Sequence, residues 1–303
     1  MQGKRRLSPS KATWCMGDRV DTLYESSCPR YVVWERRLEK DSAVHDMYKS
    51  IGDIDEARYA AKLSQNGTTF VREQEFSHPI SGSQVTIEGR YDFRLDTEDG
   101  PVLVEKKSIT SANRAREIIE KGLIDEKQLA QLVTYMAIHK IQNGKLVSTF
   151  WKWGDDLDSY VVAGEREFVV TVSPSGEITV DGQPFHRHLR SLQKWFQITA
   201  KGMDEADRRL PERPLPKNGW QNPCAKCPLS AACDAYDRSK DVAAFWAQTK
   251  DTEPRPGKEA EIIAPKVKKG KKNDKASISD RSNPDTDSGR IQDKTGIGRW
   301  EVD

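Results

Sequence analysis

Between Val85 and Asp96 every second position is apolar or glycine: Val85, Ile87, Gly89, Tyr91, Phe93 and Leu95 alternate with Thr86, Glu88, Arg90, Asp92, Arg94 and Asp96. Period two is strand geometry, so a strand is predicted here, with Asp92 opposite the apolar row. Thr97-Glu98-Asp99-Gly100 then predicts a tight turn, Asp-Gly being a strong short-range hairpin signal. A returning strand follows over residues 101–108, in which Glu105 and Lys107 share a face and Lys106 points away. Two antiparallel strands can thus bring Asp92, Glu105 and Lys107 into one small cluster.

Helical spacing governs other segments. Ser27 or Cys28 precedes Pro29, a residue suited to a first helical turn, and the apolar positions continue through Trp34 and Leu38. Asp53-Ile54-Asp55-Glu56 has the form of a capping box for a helix through Ala57, Ala60, Ala61 and Leu63, stopped by Asn66-Gly67. Residues 70–76 predict a strand leading into the hairpin. A polar stretch with helical character, residues 112–122, carries Arg114, Arg116 and Lys121. The clearest helix is predicted over residues 126–143, with Leu129, Leu132, Val133, Met136 and Ala137 as its apolar stripe and Asn143-Gly144 as its end. On it Gln131 and Tyr135, four apart, share a face. Residues 146–153, 167–172 and 177–180 predict strands, and residues 185–210 a long helix with Leu189, Leu192, Trp195 and Phe196 facing inward. His186 and His188 near its start do not share a helical face and read as surface or capping residues. The class is α/β.

Composition narrows the function. The 303 residues are 36% hydrophobic and 32% charged, and no stretch approaches the roughly 18 apolar residues of a membrane span. The opening Met-Gln-Gly-Lys-Arg-Arg has positive charge without the apolar run of a secretory signal, so a cytoplasmic location is expected. Net charge is only +2, which leaves nucleic-acid binding to a local groove. Five cysteines in such a chain point to reduced thiols or metal ligands rather than disulfides.

Clustered carboxylates repel one another, and a hard divalent cation such as Mg2+ or Mn2+ is the usual remedy. Such a cation activates water and polarises a phosphoryl oxygen, and Lys107 could orient that water or neutralise charge developing on phosphate. The alternative is a cross-strand ion pair, worth little on a surface. A second cluster, Cys224-Ala-Lys-Cys227-Pro-Leu-Ser-Ala-Ala-Cys233, places three cysteines within ten residues. Three thiolates leave a four-coordinate centre one ligand short, and Cys28 supplies it if the two ends of the fold meet. All-thiolate sites hold zinc or an iron–sulfur cluster. Cys15 is the lesser substitute for Cys28.

The order Cys28, Asp92, Glu105-x-Lys107, Gln131-x-x-x-Tyr135, Cys224, Cys227, Cys233 resembles the RecB-like branch of the PD-(D/E)XK nucleases, in particular the iron–sulfur CRISPR-associated exonucleases (the fourth Cas protein family) and AddB-type nuclease domains. Tyr91 stands where the family often has proline before the aspartate. The resemblance covers roughly residues 20–237 and implies a restriction-endonuclease-like core, a mixed sheet flanked by helices, with a C-terminal helical and cysteine-cluster segment. It implies Asp92 and Glu105 as ligands of Mg2+ or Mn2+, with Glu56 or His45 and the backbone carbonyl of Lys106 as further ligands. Lys107 would assist the water, and Gln131 and Tyr135 would position the strand. Cys28, Cys224, Cys227 and Cys233 would hold an iron–sulfur cluster, four-iron four-sulfur in that family, with zinc as the alternative. Arg114, Arg116 and Lys121 are candidates for lining the DNA groove, or else a solvated helix face. The implied activity is a DNA exonuclease on single-stranded ends, in recombination, repair or CRISPR spacer acquisition. An endonuclease or flap nuclease with the same site, and a non-catalytic DNA-binding subunit with a structural metal centre, are the alternatives.

Three regions are expected: residues 1–20 as a flexible arm, 21–240 as the nuclease domain, and 241–303 as a disordered charged tail. In the tail, Lys266 to Lys275 concentrates positive charge that could tether DNA. The segment 291–302, with Trp300, is a candidate docking segment for a single-strand-binding or recombination protein.

Overall fold

The computed structural model describes residues 5–16, 19–21, 27–38, 46–154, 160–214 and 223–253. The chain opens with three short strands, β1 (Arg6–Leu7), β2 (Trp14–Met16) and β3 (Arg19–Asp21), followed by helices α1 (Pro29–Arg37) and α2 (Asp46–Gln65). Strands β4 (Thr69–Pro79), β5 (Thr86–Thr97) and β6 (Gly100–Ile109) come next. Then α3 (Ala112–Ala115), a π-helical turn (Arg116–Glu120) and α4 (Glu126–His139) lead to β7 (Asn143–Trp153). Strands β8 (Tyr160–Val172), β9 (Glu177–Val180) and β10 (Gln183–His188) precede α5 (Leu189–Asp204), α6 (Ser230–Ser239) and α7 (Val242–Thr249).

Eight of these strands form one mixed sheet in the order β1-β5-β6-β7-β8-β9-β10, with β4 also paired to β5. The predicted hairpin is β5–β6, turned at Gly100, whose φ of +105° lies in a region glycine enters without a Cβ clash. β6 and β7 are parallel, Glu105 opposite Leu146, so the chain crosses over between them through α3 and α4. On one face of the sheet Leu129, Leu132, Val133 and Met136 of α4 and Leu192, Trp195 and Phe196 of α5 pack in the main core. On the other, Tyr59 and Leu63 of α2 cover Phe93, Leu95, Val104 and Val147. A third cluster joins Tyr31 and Trp34 of α1 to Leu229, Cys233, Tyr236 and Phe245.

Five sequence expectations change. Within the first twenty residues, expected as a loose arm, the described part is ordered: β1 pairs with β5, and Leu7, Ala12 and Trp14 are fully buried in the main core. Strands of two and three residues are too short to show a period. The helix expected to start at Asp53 begins at Asp46, so Glu56 is mid-helix and no capping box forms. The helix expected to run to Asn143 stops at His139, closed by Lys140 in the left-handed region at φ 55°, and Asn143 opens β7 instead. Residues 185–188 belong to β10, because His188 Nδ1 accepts the Arg190 N–H and caps α5 only there. That helix ends at Asp204, short of residue 210. Finally, folded structure passes residue 240: α7 buries Val242 and Phe245, and Trp34 Nε1 donates to the Thr249 carbonyl at 3.2 Å. The basic run and the docking segment of the tail lie outside the described residues.

Gly202 on α5 lets Pro211 approach the helix closely, beside Val33 of α1. A Cβ there would stand 2.2 Å from Pro211 Cγ, and a proline ring cannot swing aside. Gly202→Ala is therefore expected to cost about 2 kcal/mol through overpacking, read as a drop of several degrees in thermal melting. An unchanged melting temperature would mean that this contact is loose.

Candidate active site

The ladder between β5 and β6 runs from Thr97–Gly100 to Phe93–Val104, and at the next step a side chain takes over. Asp92 Oδ2 accepts the backbone N–H of Lys106 at 2.6 Å, so the carboxylate itself completes the strand's hydrogen bonding. Glu105, only 1% exposed, and Lys107 lie on one face of β6 as period two requires, and Lys107 Nζ donates to Glu105 Oε1. Glu105 Oε2 is buried without a hydrogen-bond partner. Such an orphan is costly, and a buried carboxylate oxygen in that state fits a cation.

The electrostatics join these groups into one site. Burial, and then the Asp92 charge, push the Glu105 carboxyl up to about 8. Burial raises Asp92 against the pull of Lys107. Burial would lower the Lys107 ammonium, but Glu105 and Asp92 outweigh it and hold it above the usual lysine range. Glu56 faces the site from α2: burial and then Asp92 raise its carboxyl, while Arg72 holds it at 3.3 Å. From α4, Gln131 Nε2 donates to the Tyr135 hydroxyl at 2.9 Å. Burial, then Glu105, raise that phenol well above its ordinary value. Asp92, Glu105, Lys107, Glu56, Gln131 and Tyr135 thus come together where β5 parts from β6. Among the described residues no three His, Cys, Asp or Glu side chains, those of the cysteines included, stand in ligating arrangement around one ion. His45 lies outside the described residues.

Opposite Asp92 on β4, Glu73 adopts φ 54°, an uncommon backbone state for a non-glycine residue, and pairs with Arg72 and Arg90, each at 3.4 Å. Arg90 lowers both Asp92 and Tyr135, so it borders the site. It sits two residues from Asp92 on the same strand face, a signal the alternation carried and that sequence reasoning passed over in favour of the segment after β6. There Arg114 pairs with Asp125, the N-cap of α4, while Arg116 pairs with Glu120 at 3.7 Å and is 65% exposed. Lys121 is exposed as well.

Four of the five cysteines line one pocket. Cys28, the N-cap of α1, and Cys224, Cys227 and Cys233 line one pocket with Arg30 and Arg213. Burial, with Cys233 and Cys224 nearby, pushes the Cys28 thiol up to about 12. Burial would lower the two guanidinium groups, but the hydrogen bonds of Arg30 to Asp237 and of Arg213 to Asp234, with Cys233 nearby, raise them. Cys15 lies in β2 within the main core, apart from that pocket.

The carboxylate pair and lysine thus sit on a hairpin backed by a helix, in a mixed sheet flanked by helices. The chain belongs to the PD-(D/E)XK nuclease superfamily, whose family model matches residues 18–234. The fold is that of the restriction endonucleases. Among solved structures, the chain is similar to SSO0001 at 17% identity and TM-score 0.37, over 66% of this chain and 77% of that one. It is also similar to LHK-Exo, an alkaline exonuclease from Laribacter hongkongensis, at 18% identity and TM-score 0.35, over 54% of this chain and 77% of that one. The same enzyme in complex with dAMP matches at 16% identity and TM-score 0.32, over 53% and 76%. No curated protein matches. No helix among the described residues is long and apolar enough to cross a membrane.

Proposed function

We propose that the protein is a divalent-metal-dependent DNA exonuclease acting on single-stranded ends. The observation that carries this is the orphaned Glu105 Oε2, buried beside Asp92 and Lys107 in a PD-(D/E)XK core. Asp92, Glu105 and Glu56, with the Lys106 carbonyl, are the groups to hold Mg2+ or Mn2+. When bound, such an ion polarises a phosphoryl oxygen and lowers the pKa of a water. Lys107 places a positive charge beside the carboxylates, where it orients the attacking water or offsets charge developing on the phosphate. Gln131 and Tyr135, tied to each other, hold the strand. Water would attack phosphorus in line, the new P–O bond forming as the bond to the sugar oxygen breaks; the water gives up a proton to solvent and the leaving sugar oxygen takes one from solvent, so the protons balance. Arg116 and Lys121, both exposed, are available to DNA phosphates, whereas Arg114 is engaged by Asp125.

The cysteine pocket we assign to an iron–sulfur cluster that joins the start and end of the fold. What supports this reading is that four thiols line one pocket, the donor type such clusters take, with Arg30 and Arg213 at its wall. A role in recombination, repair or CRISPR spacer acquisition, with a protein partner on the tail, is consistent with this enzyme.

The test is cleavage of end-labelled single- and double-stranded DNA with Mg2+ or Mn2+. Mononucleotide release from linear single strands, with circular single strands left intact, is expected. Cutting of the circle would make the enzyme an endonuclease. No cutting with either metal would leave a DNA-binding subunit.

A further inference from the structure

The face of β6 turned away from the Glu105–Lys107 pair carries a charge network that the proposed reaction does not use. Lys106 is 2% exposed and Asp55, on α2, 1%. Lys106 Nζ donates to Thr149 Oγ1 at 2.8 Å and stands 3.4 Å from Asp55 Oδ2 and 3.6 Å from Glu165 Oε2. Ser108 Oγ donates to Asp55 Oδ2 at 3.1 Å. Arg58 bridges Asp55, at 3.2 Å, and Glu165. One cluster therefore ties α2, β6, β7 and β8 together, on a face whose other members, Phe93, Val104 and Val147, are apolar.

Stability does not explain this choice, because apolar residues of similar volume usually replace a buried ion pair without loss. Position does. Asp55 precedes Glu56, and Lys106 lies between Glu105 and Lys107, so each partner of the Asp55–Lys106 pair is the chain neighbour of a site residue. The backbone N–H of the same Lys106 holds Asp92. The placement of α2 against β6 at this pair therefore bears on the placement of Glu56 relative to Glu105 and Asp92, with which it interacts.

We propose that Asp55 and Lys106 are positioning residues that set the spacing of Glu56, Asp92 and Glu105 and with it the affinity for the divalent cation. The inference rests on the metal-dependent reading above. Its test is Asp55→Asn with Lys106→Met in the full chain, because removing both charges leaves neither buried alone. Mn2+ binding is followed by electron paramagnetic resonance titration, folding by circular dichroism, and cleavage of end-labelled single strands as a function of Mg2+. The double variant is expected to stay folded, to bind Mn2+ about 10–100-fold more weakly, and to need correspondingly more Mg2+, with the KM for DNA unchanged. A folded double variant with wild-type Mn2+ affinity would overturn the proposal. Should the double variant not fold, Thr149→Val, which removes one hydroxyl from Lys106, is read by the same titration: several-fold weaker Mn2+ binding supports the proposal, wild-type binding overturns it. A wild-type protein that binds Mn2+ through Asp92, shown by loss in Asp92→Asn, yet cuts no DNA would end the nuclease reading and leave the positioning role standing. A wild-type protein that binds no Mn2+ would end both.

Discussion

Glu105→Gln is expected to lower DNA cleavage by about 10³-fold and, in the metal-free protein at pH 8 or above, to raise the melting temperature. The two effects have one source. In the fold the Glu105 carboxyl is pushed up to about 8, chiefly by burial and then by Asp92, from an ordinary 4.5. Below pH of about 4.5 it is protonated in folded and unfolded chains alike, and the burial has no effect on stability. Between about 4.5 and 8 the unfolded chain has released a proton that the fold retains, so stability falls as pH rises. Above about 8 the fold must bury the charge and the penalty is complete. Each pKa unit is about 1.4 kcal/mol, so the whole effect amounts to a few kcal/mol, with the opposing pull of Lys107 already included in that rise. Glutamine never ionises, yet its carbonyl still accepts from Lys107. Thermal melts of wild type and variant without metal should therefore coincide near pH 4 and separate above pH 8, and Mg2+ should raise the wild type alone. A variant that cleaves at the wild-type rate, or that melts lower than wild type at pH 8.5, would show that Glu105 is not the buried ligand argued here.

The amino-acid sequence exposes most of this site because the residues that form it are related by short-range geometry. Asp92, Glu105 and Lys107 sit on two adjoining strands, and strand geometry alone decides which side chains share a face. Gln131 and Tyr135 are one helical turn apart, and the 2.9 Å contact between them is what that spacing requires. Asp55 and Lys106 are opaque in the sequence for the opposite reason. The buried row of α2 is Ile51, Asp55, Tyr59 and Leu63, four apart, and a charged member interrupts the apolar repeat by which a helix face is recognised. The helix consequently reads as starting at Asp53, and Glu56 as its cap. Lys106 resembles any solvent-facing strand lysine until Asp55, Thr149 and Glu165 arrive from three other elements. Local periods carry faces, and burial of charge is a property of distant partners.

The same distinction separates the two halves of the cysteine pocket. Cys224, Cys227 and Cys233 are close in sequence, whereas Cys28 joins them only because α1 packs against α6 through Tyr31, Trp34 and Tyr236. Arg30, next to Cys28, completes that junction: it is 2% exposed, its Nε donates to the Pro211 carbonyl at 2.9 Å, and it pairs with Asp237 at 3.0 Å.

Cys233→Ala is expected to abolish iron binding and visible colour in protein purified anaerobically and to cost about 4 kcal/mol or more of stability, the scale on which loss of a structural metal acts. The cost should exceed that of an ordinary core truncation, because Cys233 of α6 lies in the third cluster with Tyr31 and Trp34 of α1, and an iron–sulfur cluster bound to it and Cys28 would hold both helices. Cys15→Ala is the control: that thiol is buried in the main core, so its loss should lower melting modestly and leave iron and colour untouched. Hydrolysis should fall in Cys233→Ala along with the folded fraction rather than through the Asp92–Glu105 site, and it should recover at low temperature where the variant is folded. Iron and zinc analysis of the wild type decides the identity of the centre: two equivalents or more of iron per chain establish a cluster, one of zinc a mononuclear site. Wild-type protein holding neither metal, or a Cys233→Ala variant as stable as its parent, would leave the four cysteines as a packed cluster of thiols, and the joining of α1 to α6 would then rest on Arg30 and the apolar contacts alone.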